Sequence, residues 1–215
     1  MSAEGGIRKS KLVYSICVSG AHNGPTVKED KALARELGTA IAKAGQTLTT
    51  GATIGLPYLS AVAAHKAGGK NIGFSPAVSL REHLKKYHLP YECYDFVNFT
   101  GLNYVGRDLY LVQSSDAIIT IGGGFGSLHE FTSALEAHKI CGVLTKSDGV
   151  ADMISGLTKL LTLPHDTEII YSDDPYDLID KVVLALDKKY SDLNHELEHY
   201  DEYWFLEDDD PKRGG

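Results

Sequence analysis

Cysteine, methionine and tryptophan are scarce in this 215-residue chain, at three, two and one. The three thiols, Cys17, Cys93 and Cys141, are widely spaced and form no paired motif. That excludes a disulfide framework and a cysteine-based zinc site, and it fits a reducing compartment. Long hydrophobic runs are missing too. The stretches 117–121 and 182–186 fall far short of the roughly 20 residues that a membrane helix needs. The N-terminus carries charge but no apolar signal core, so the expectation is a soluble, cytoplasmic protein with no membrane partner.

An excess of basic charge is also absent. The net charge is −8, and residues 191–215 account for −7 of it: nine Asp/Glu against Lys212 and Arg213. The remaining body carries 20 acidic and 19 basic side chains. A near-neutral body with an acidic tail lacks the basic stripe of a nucleic-acid protein and the polybasic patch of a membrane-surface binder. What is present is enough apolar content, 43%, for a sizeable core. The expected organisation is one domain over 1–190, followed by an acidic tail over 191–215.

Strand-like and helix-like segments alternate through the body. Strands are expected at 12–18, 46–50, 71–75, 94–98, 116–121, 141–145 and 168–171. Helices are expected at 26–44, 57–67, 102–113, 127–138, 152–161 and 175–186, and 76–94 reads as an irregular surface excursion. Alternation of this kind predicts an α/β, Rossmann-like, doubly wound and mainly parallel sheet with helices on both faces. Ligands of such sheets bind at the carboxyl ends of the strands. The loops beginning at Ser19, Gly51, Ser75, Asn98 and Gly122 are therefore where a site is sought.

The strongest local signal is Gly122-Gly-Gly-Phe-Gly-Ser127, entered from an apolar strand and left through a helix. Glycines let backbone approach an anion, and the free N–H groups of the following helix point at it with the positive end of the dipole. A tight turn needs fewer than four glycines in five residues. Gly123, Gly124, Gly126 and Ser127 are accordingly the candidate phosphate-binding residues, while Ser19, Gly20, Gly51 and Thr53 are further ligand-binding candidates. The loop fits neither the dinucleotide fingerprint, whose third glycine would fall at Ser127, nor a P-loop, so a monophosphate suits it better.

Glu130 sits one turn into the helix, where its carboxylate faces a sugar or a developing cation rather than the phosphate itself. Arg107 is a candidate anion clamp or a partner for Glu130. The bland alternatives are a helix-surface glutamate and a solvated arginine. His129 neighbours Glu130 in sequence and should point elsewhere, and His22 reads as a loop-surface residue. His195-Glu-Leu-Glu-His199 has the form of a zinc-protease helix, but the segment after it offers no core to shape a cleft, so no metal site is expected.

The segment from Gly106-Arg107 through Gly122-Gly-Gly-Phe-Gly-Ser-Leu-His-Glu130 resembles the signature of the Lonely Guy (LOG) family, Rossmann-type proteins long mislabelled lysine decarboxylases. The family pattern is an Arg, a helix, a strand, then P-G-G-x-G-T-x-x-E. The likeness extends to Ile16–Gly20, Thr50–Gly55, Ile72–Pro76 and Asp174–Val183, and so covers residues 12–188. Here Gly122 stands for the family's Pro, Ser127 for its Thr, and Asp108 for a Lys that follows the Arg. These departures resemble the broader branch that includes molybdenum-cofactor carrier proteins.

The resemblance implies Glu130 and Arg107 as catalytic residues and a nucleoside 5′-monophosphate as the small-molecule partner. It implies no cofactor of the protein's own, and a homodimer or higher homo-oligomer built on the central helices. The leading expectation is N-glycosidic hydrolysis giving free base and ribose 5-phosphate, which would make the protein a hydrolase. The alternative is a non-catalytic carrier of a nucleotide or of molybdenum cofactor, and a third reading is a tail-mediated interaction protein with a vestigial pocket.

Overall fold

The computed structural model describes residues 7–193. Its strands are β1 (Ser15–Gly20), β2 (Thr47–Thr50), β3 (Lys70–Ser75), β4 (Phe96–Phe99), β5 (Ala117–Ile121), β6 (Ile140–Leu144) and β7 (Ile169–Ser172). They form one sheet in the order β4-β3-β2-β1-β5-β6-β7, and every adjacent pair is parallel. The helices are α1 (Pro25–Glu29), α2 (Lys31–Lys43), α3 (Leu56–Lys66), α4 (Leu80–Lys85), α5 (Asn103–Gln113), α6 (Phe125–Glu136), α7 (Gly149–Leu160) and α8 (Pro175–Lys189). This is the Rossmann-like α/β architecture that the alternation predicts.

The central strands read as continuous apolar runs because both their faces are covered. Period two sorts them. Ile16 and Val18 of β1, Ala117, Ile119 and Ile121 of β5, and Ile140 and Leu144 of β6 join the core under α2, α3 and α8. Cys17, Ile118, Cys141 and Val143 point the other way, into a second core with Leu111 of α5, Phe131 of α6 and Ile154 of α7. A one-residue slip in β5 would swap its two sets and send each side chain to the wrong layer. Cys17 and Cys141 are thus core residues, and Cys93 is buried as well, all three as free thiols.

Strand order reverses between β1 and β5, each of which continues into a loop at its carboxyl end. That reversal opens a crevice in the sheet edge and sets the place of the site.

Three sequence expectations need correction. The helix predicted over 26–44 is two helices, broken at Asp30, whose backbone leaves helical geometry at φ −96°, ψ 14°. The helix predicted to start near Ser127 starts at Phe125, so Gly126 and Ser127 belong to its first turn and not to the loop. The excursion 76–94 does run along the surface, but it is not irregular throughout. It contains α4, capped by the Ser79 hydroxyl accepting from the Glu82 N–H while the Glu82 carboxylate accepts from the Val78 N–H. It is also pinned by a fully buried His83, whose ring nitrogens meet the Ser75 hydroxyl at 2.9 Å and the Pro90 carbonyl at 3.0 Å.

Among the described residues, no helix is long and apolar enough to cross a membrane. The acidic tail from residue 194 on, with its aromatic residues Tyr200, Tyr203, Trp204 and Phe205 and with His195-Glu-Leu-Glu-His199, lies outside the described residues.

Candidate functional site

Parallel pairing puts Ser19 and Gly20 of β1 level with Thr120 and Ile121 of β5, so the two strands deliver their terminal loops to one place. From Ile121 the chain turns through Gly122 and Gly123. Gly123 has φ +99°, and a Cβ there would sit 2.5 Å from the Ser127 hydroxyl, so only glycine fits. The carbonyls of Gly122 and Gly123 accept the N–H groups of Ala151 and Val150 in the first turn of α7. These bonds turn the loop's oxygens away from the crevice. The first helical bond of α6 runs from Leu128 N–H to the Gly124 carbonyl, so the N–H groups of Phe125, Gly126 and Ser127 lie ahead of the ladder. A helix terminus of this kind attracts an anion through both its donors and its dipole.

One turn further on, Glu130 is buried at 8% exposure, which removes the surface-glutamate reading. Its Oε2 accepts from the Ser19 hydroxyl, and its Oε1 accepts from Arg107 Nη1 at 3.2 Å. Arg107 is itself 5% exposed and is no solvated charge. Its guanidinium lies against Gly51, where a Cβ would come within 2.0 Å of Nη1. The glycine at the end of β2 therefore makes room for the arginine. Arg107 Nη1 also meets Asp108 Oδ1 at 3.1 Å, and Arg107 Nε has no hydrogen-bond partner among the described residues.

The electrostatics run against one simple expectation. A guanidinium beside a carboxylate favours its ionised form, and Arg107 does pull Glu130 in that direction. Burial is the larger effect, reinforced by the Asp108 charge, and it pushes the Glu130 carboxyl up to about 7. At neutral pH this group can both accept and release a proton, the condition for general acid–base work.

These residues line a cavity of about 580 Å³, within the range of small-molecule sites. Glu130, Arg107, Gly123, Gly124, Gly126, Ser127, Ser19, Gly20, Gly51 and Thr53 all face it, so the structure gathers every site candidate of the sequence in one place. It also brings in residues to which the sequence reading gave no role in the site. Asp108 lines the cavity, and its Oδ2 lies 3.2 Å from His129 Nδ1. His129 does not line the cavity, in keeping with the expectation, but its ring reaches Asp108 on α5 while Glu130 reaches Arg107. His22 is exposed but stands at the rim. Tyr87, His88 and Leu89 arrive from the excursion, Tyr104 from α5 and Phe125 from the start of α6, the last 93% exposed. Tyr87 and Tyr104 meet edge to face at 5.7 Å and form an aromatic wall. The Ser79-x-x-Glu82 cap was a readable sign of α4, but nothing local in the sequence says that its far end reaches the cavity.

Among the described residues, no group of His, Cys, Asp and Glu has the arrangement to hold a metal ion.

Comparison with known proteins agrees with this geometry at the level of fold. An uncharacterized protein of Archaeoglobus fulgidus is 32% identical over 129 residues, 59% of this chain and 77% of the relative. Among solved structures, the molybdenum cofactor binding protein of Rippkaea orientalis superposes with a TM-score of 0.66 at 26% identity, covering 82% of this chain and 99% of that one. The molybdenum cofactor carrier protein of Chlamydomonas reinhardtii gives 0.63 at 26% identity, over 81% and 99%. The profile of the SLOG cluster4 family matches residues 13–179, from just before β1 into α8, and the chain belongs to that family.

Proposed function

We propose that the protein is a phosphoribohydrolase that cleaves the N-glycosidic bond of a nucleoside 5′-monophosphate, releasing free base and ribose 5-phosphate. The observation that carries this reading is a buried Glu130 one turn beyond a phosphate-type loop, in the same cavity, with burial pushing its carboxyl up to about 7. The 5′-phosphate is held by the N–H groups of Gly124, Phe125, Gly126 and Ser127. Ser19, Gly20, Gly51 and Thr53 border the sugar, and the wall of Tyr87 and Tyr104 suits a flat ring. As the base departs, positive charge builds on the ribose in an oxocarbenium-like transition state. A carboxylate held by Ser19 and Arg107 stabilises that charge and takes a proton from the attacking water. The near-neutral body matches a small-molecule partner and not a nucleic acid. The deciding experiment is incubation with a panel of purine and pyrimidine monophosphates and chromatography for free base.

The names of two structural neighbours favour a second reading, a carrier that binds molybdenum cofactor or a nucleotide and breaks no bond. A carrier needs affinity and slow release only. Molybdenum in protein purified from a cofactor-producing host, with no base released from any monophosphate, selects it.

Both readings require the phosphate cradle, and one substitution tests it. A Cβ on Gly124 meets no atom within 4 Å, so Gly124→Val should fold. It places a branched side chain where backbone must approach the anion. Calorimetry should show loss of nucleotide binding at an unchanged thermal midpoint; unchanged affinity in the folded variant removes the cradle.

The assembly proposed is a homodimer through α5. That helix buries Leu111 and Val112 but exposes Leu102 just before its start, then Val105 and Leu109, an i, i+3, i+7 stripe unusual for a solvated face. Sedimentation should show a dimer, and Leu109→Asp should shift it toward monomer; a monomeric wild type at micromolar concentration would refute the interface.

A further inference from the structure

Arg107 does not face the cavity as a free cation. Its Nη1 is shared by two buried carboxylates, Asp108 Oδ1 at 3.1 Å and Glu130 Oε1 at 3.2 Å. Both carboxylates thus lean on one nitrogen, and the Asp108 charge helps to push the Glu130 carboxyl up. No lysine and no other arginine lines the cavity among the described residues. With both carboxylates ionised, its floor carries a formal charge of −1 before any ligand arrives. A phosphorylated ligand adds negative charge to the same poorly hydrated space, where crowded like charges cannot all persist. A cation or a proton must relieve it. Among the described residues no group of three or more His, Cys, Asp and Glu is placed to hold a metal ion, and a proton is the relief that the two carboxyls can take up themselves.

We propose that Asp108 is the second carboxyl of the site, and that Asp108 and Glu130 hold one proton between them when a phosphorylated ligand is bound. The inference rests on the phosphate reading above and goes beyond it. Sharing leaves one carboxyl ionised and the other a donor, a division of roles that paired carboxyls adopt when their environments separate them. In hydrolysis the C–N bond breaks with its electron pair going to the base nitrogen, and the water oxygen forms the new C–O bond. The ionised carboxyl takes one proton from that water while the protonated one gives its proton to the base. The pair thus ends with one proton, as it began. His129, its side chain 40% exposed and 3.2 Å from Asp108, links the pair to solvent.

Other groups face the same pair. From β1 come the Ser19 hydroxyl and the Cys17 thiol, which burial keeps neutral. Across the cavity stand His22, His88, Tyr87 and Tyr104. The two histidines and the phosphate itself, with a second pKa of about 6, are the rival proton acceptors.

The test is calorimetric titration with adenosine 5′-monophosphate, and with inorganic phosphate, in two buffers of different protonation heat. At pH 8 the wild type should take up close to one proton per ligand bound, and Kd should rise about tenfold per pH unit above that. Asp108→Asn and Glu130→Gln, each leaving one carboxyl for Arg107, should lose most of the uptake. His22→Asn and His88→Gln should keep it. Should Asp108→Asn fold poorly by circular dichroism, Glu130→Gln still decides. Uptake that survives in both carboxyl variants belongs to the ligand or a histidine and overturns the proposal. Wild-type binding without uptake, or only with added magnesium, overturns it as well while leaving the phosphate reading intact. No binding of either probe overturns both.

Discussion

Glu130→Gln is expected to lower release of free base by about 10²–10⁴, the usual loss when a positioned general base is removed. Gln keeps the shape, can accept from Arg107 through its one carbonyl oxygen while its NH2 donates to the Ser19 hydroxyl, and should leave nucleotide affinity at pH 7 nearly unchanged. The same substitution should stabilise the fold. The Glu130 carboxyl stands at about 7 in the folded protein against 4.5 for an ordinary glutamate. Between those values the native state holds a proton that the unfolded chain has released, so stability falls as pH rises. The contribution is whole below pH 4.5 and gone above pH 7. The 2.5-unit difference corresponds to about 3 kcal/mol at most. At 2–4 °C per kcal/mol for a chain of this size, Glu130→Gln should melt roughly 6–12 °C higher at pH 8. The two melting curves should converge by pH 4.5. A wild-type rate in the variant would sink the catalytic role, and equal melting temperatures at pH 8 would show that burial does not strain this carboxylate.

That trade of stability for reactivity explains what could be read in the sequence and what could not. The strands were legible because a parallel sheet buried on both faces leaves undisguised apolar runs such as 117–121. The glycine loop was legible because its chemistry is local: strand, small residues and helix follow one another along the chain. From the loop's position, Glu130 could be placed near a ligand. Burial could not be read. An Arg and a Glu 23 residues apart look like two surface charges until α5 and α6 pack together and Gly51 opens a space for the guanidinium. The pairing of His129 with Asp108 escaped for the same reason, since helix periodicity within α6 says nothing about two adjacent partners on α5, and Asp108 was read only as a departure from the LOG pattern beside Arg107. The break at Asp30 was hidden because apolar spacing continues across it. The excursion was misread because a histidine with both nitrogens satisfied inside the protein has the same letter as one in water.

Arg107→Ala should be the most damaging single change in the site, and its signature should differ from that of Glu130→Gln. Removing the guanidinium leaves Asp108 and Glu130 buried beside each other with no counter-charge. A broken buried pair of this type costs about 3–5 kcal/mol when the remaining charge stays ionised. The protein has a cheaper response: Glu130 keeps its proton, because the interaction that lowers its pKa is gone while burial and Asp108 still raise it. A protonated Glu130 cannot take a proton from water, so turnover at pH 7 should fall by about 10²–10⁴. Unlike the loss in Glu130→Gln, part of it should return as pH rises, with the acidic limb of the rate profile displaced upward. Arg107→Lys should restore the rate in part at best, since its shorter side chain must bring one ammonium to the place of Nη1 between the two carboxylates. Gly51→Ala provides an independent lesion from another strand. Its Cβ would push on the guanidinium at Nη1, so it should reproduce the displaced pH profile in a milder form. Rates measured from pH 6 to 9 in the three variants decide the matter. A pH-independent loss in Arg107→Ala would mean that the arginine grips the ligand instead of tuning Glu130, and a wild-type rate at pH 7 would remove it from the site altogether.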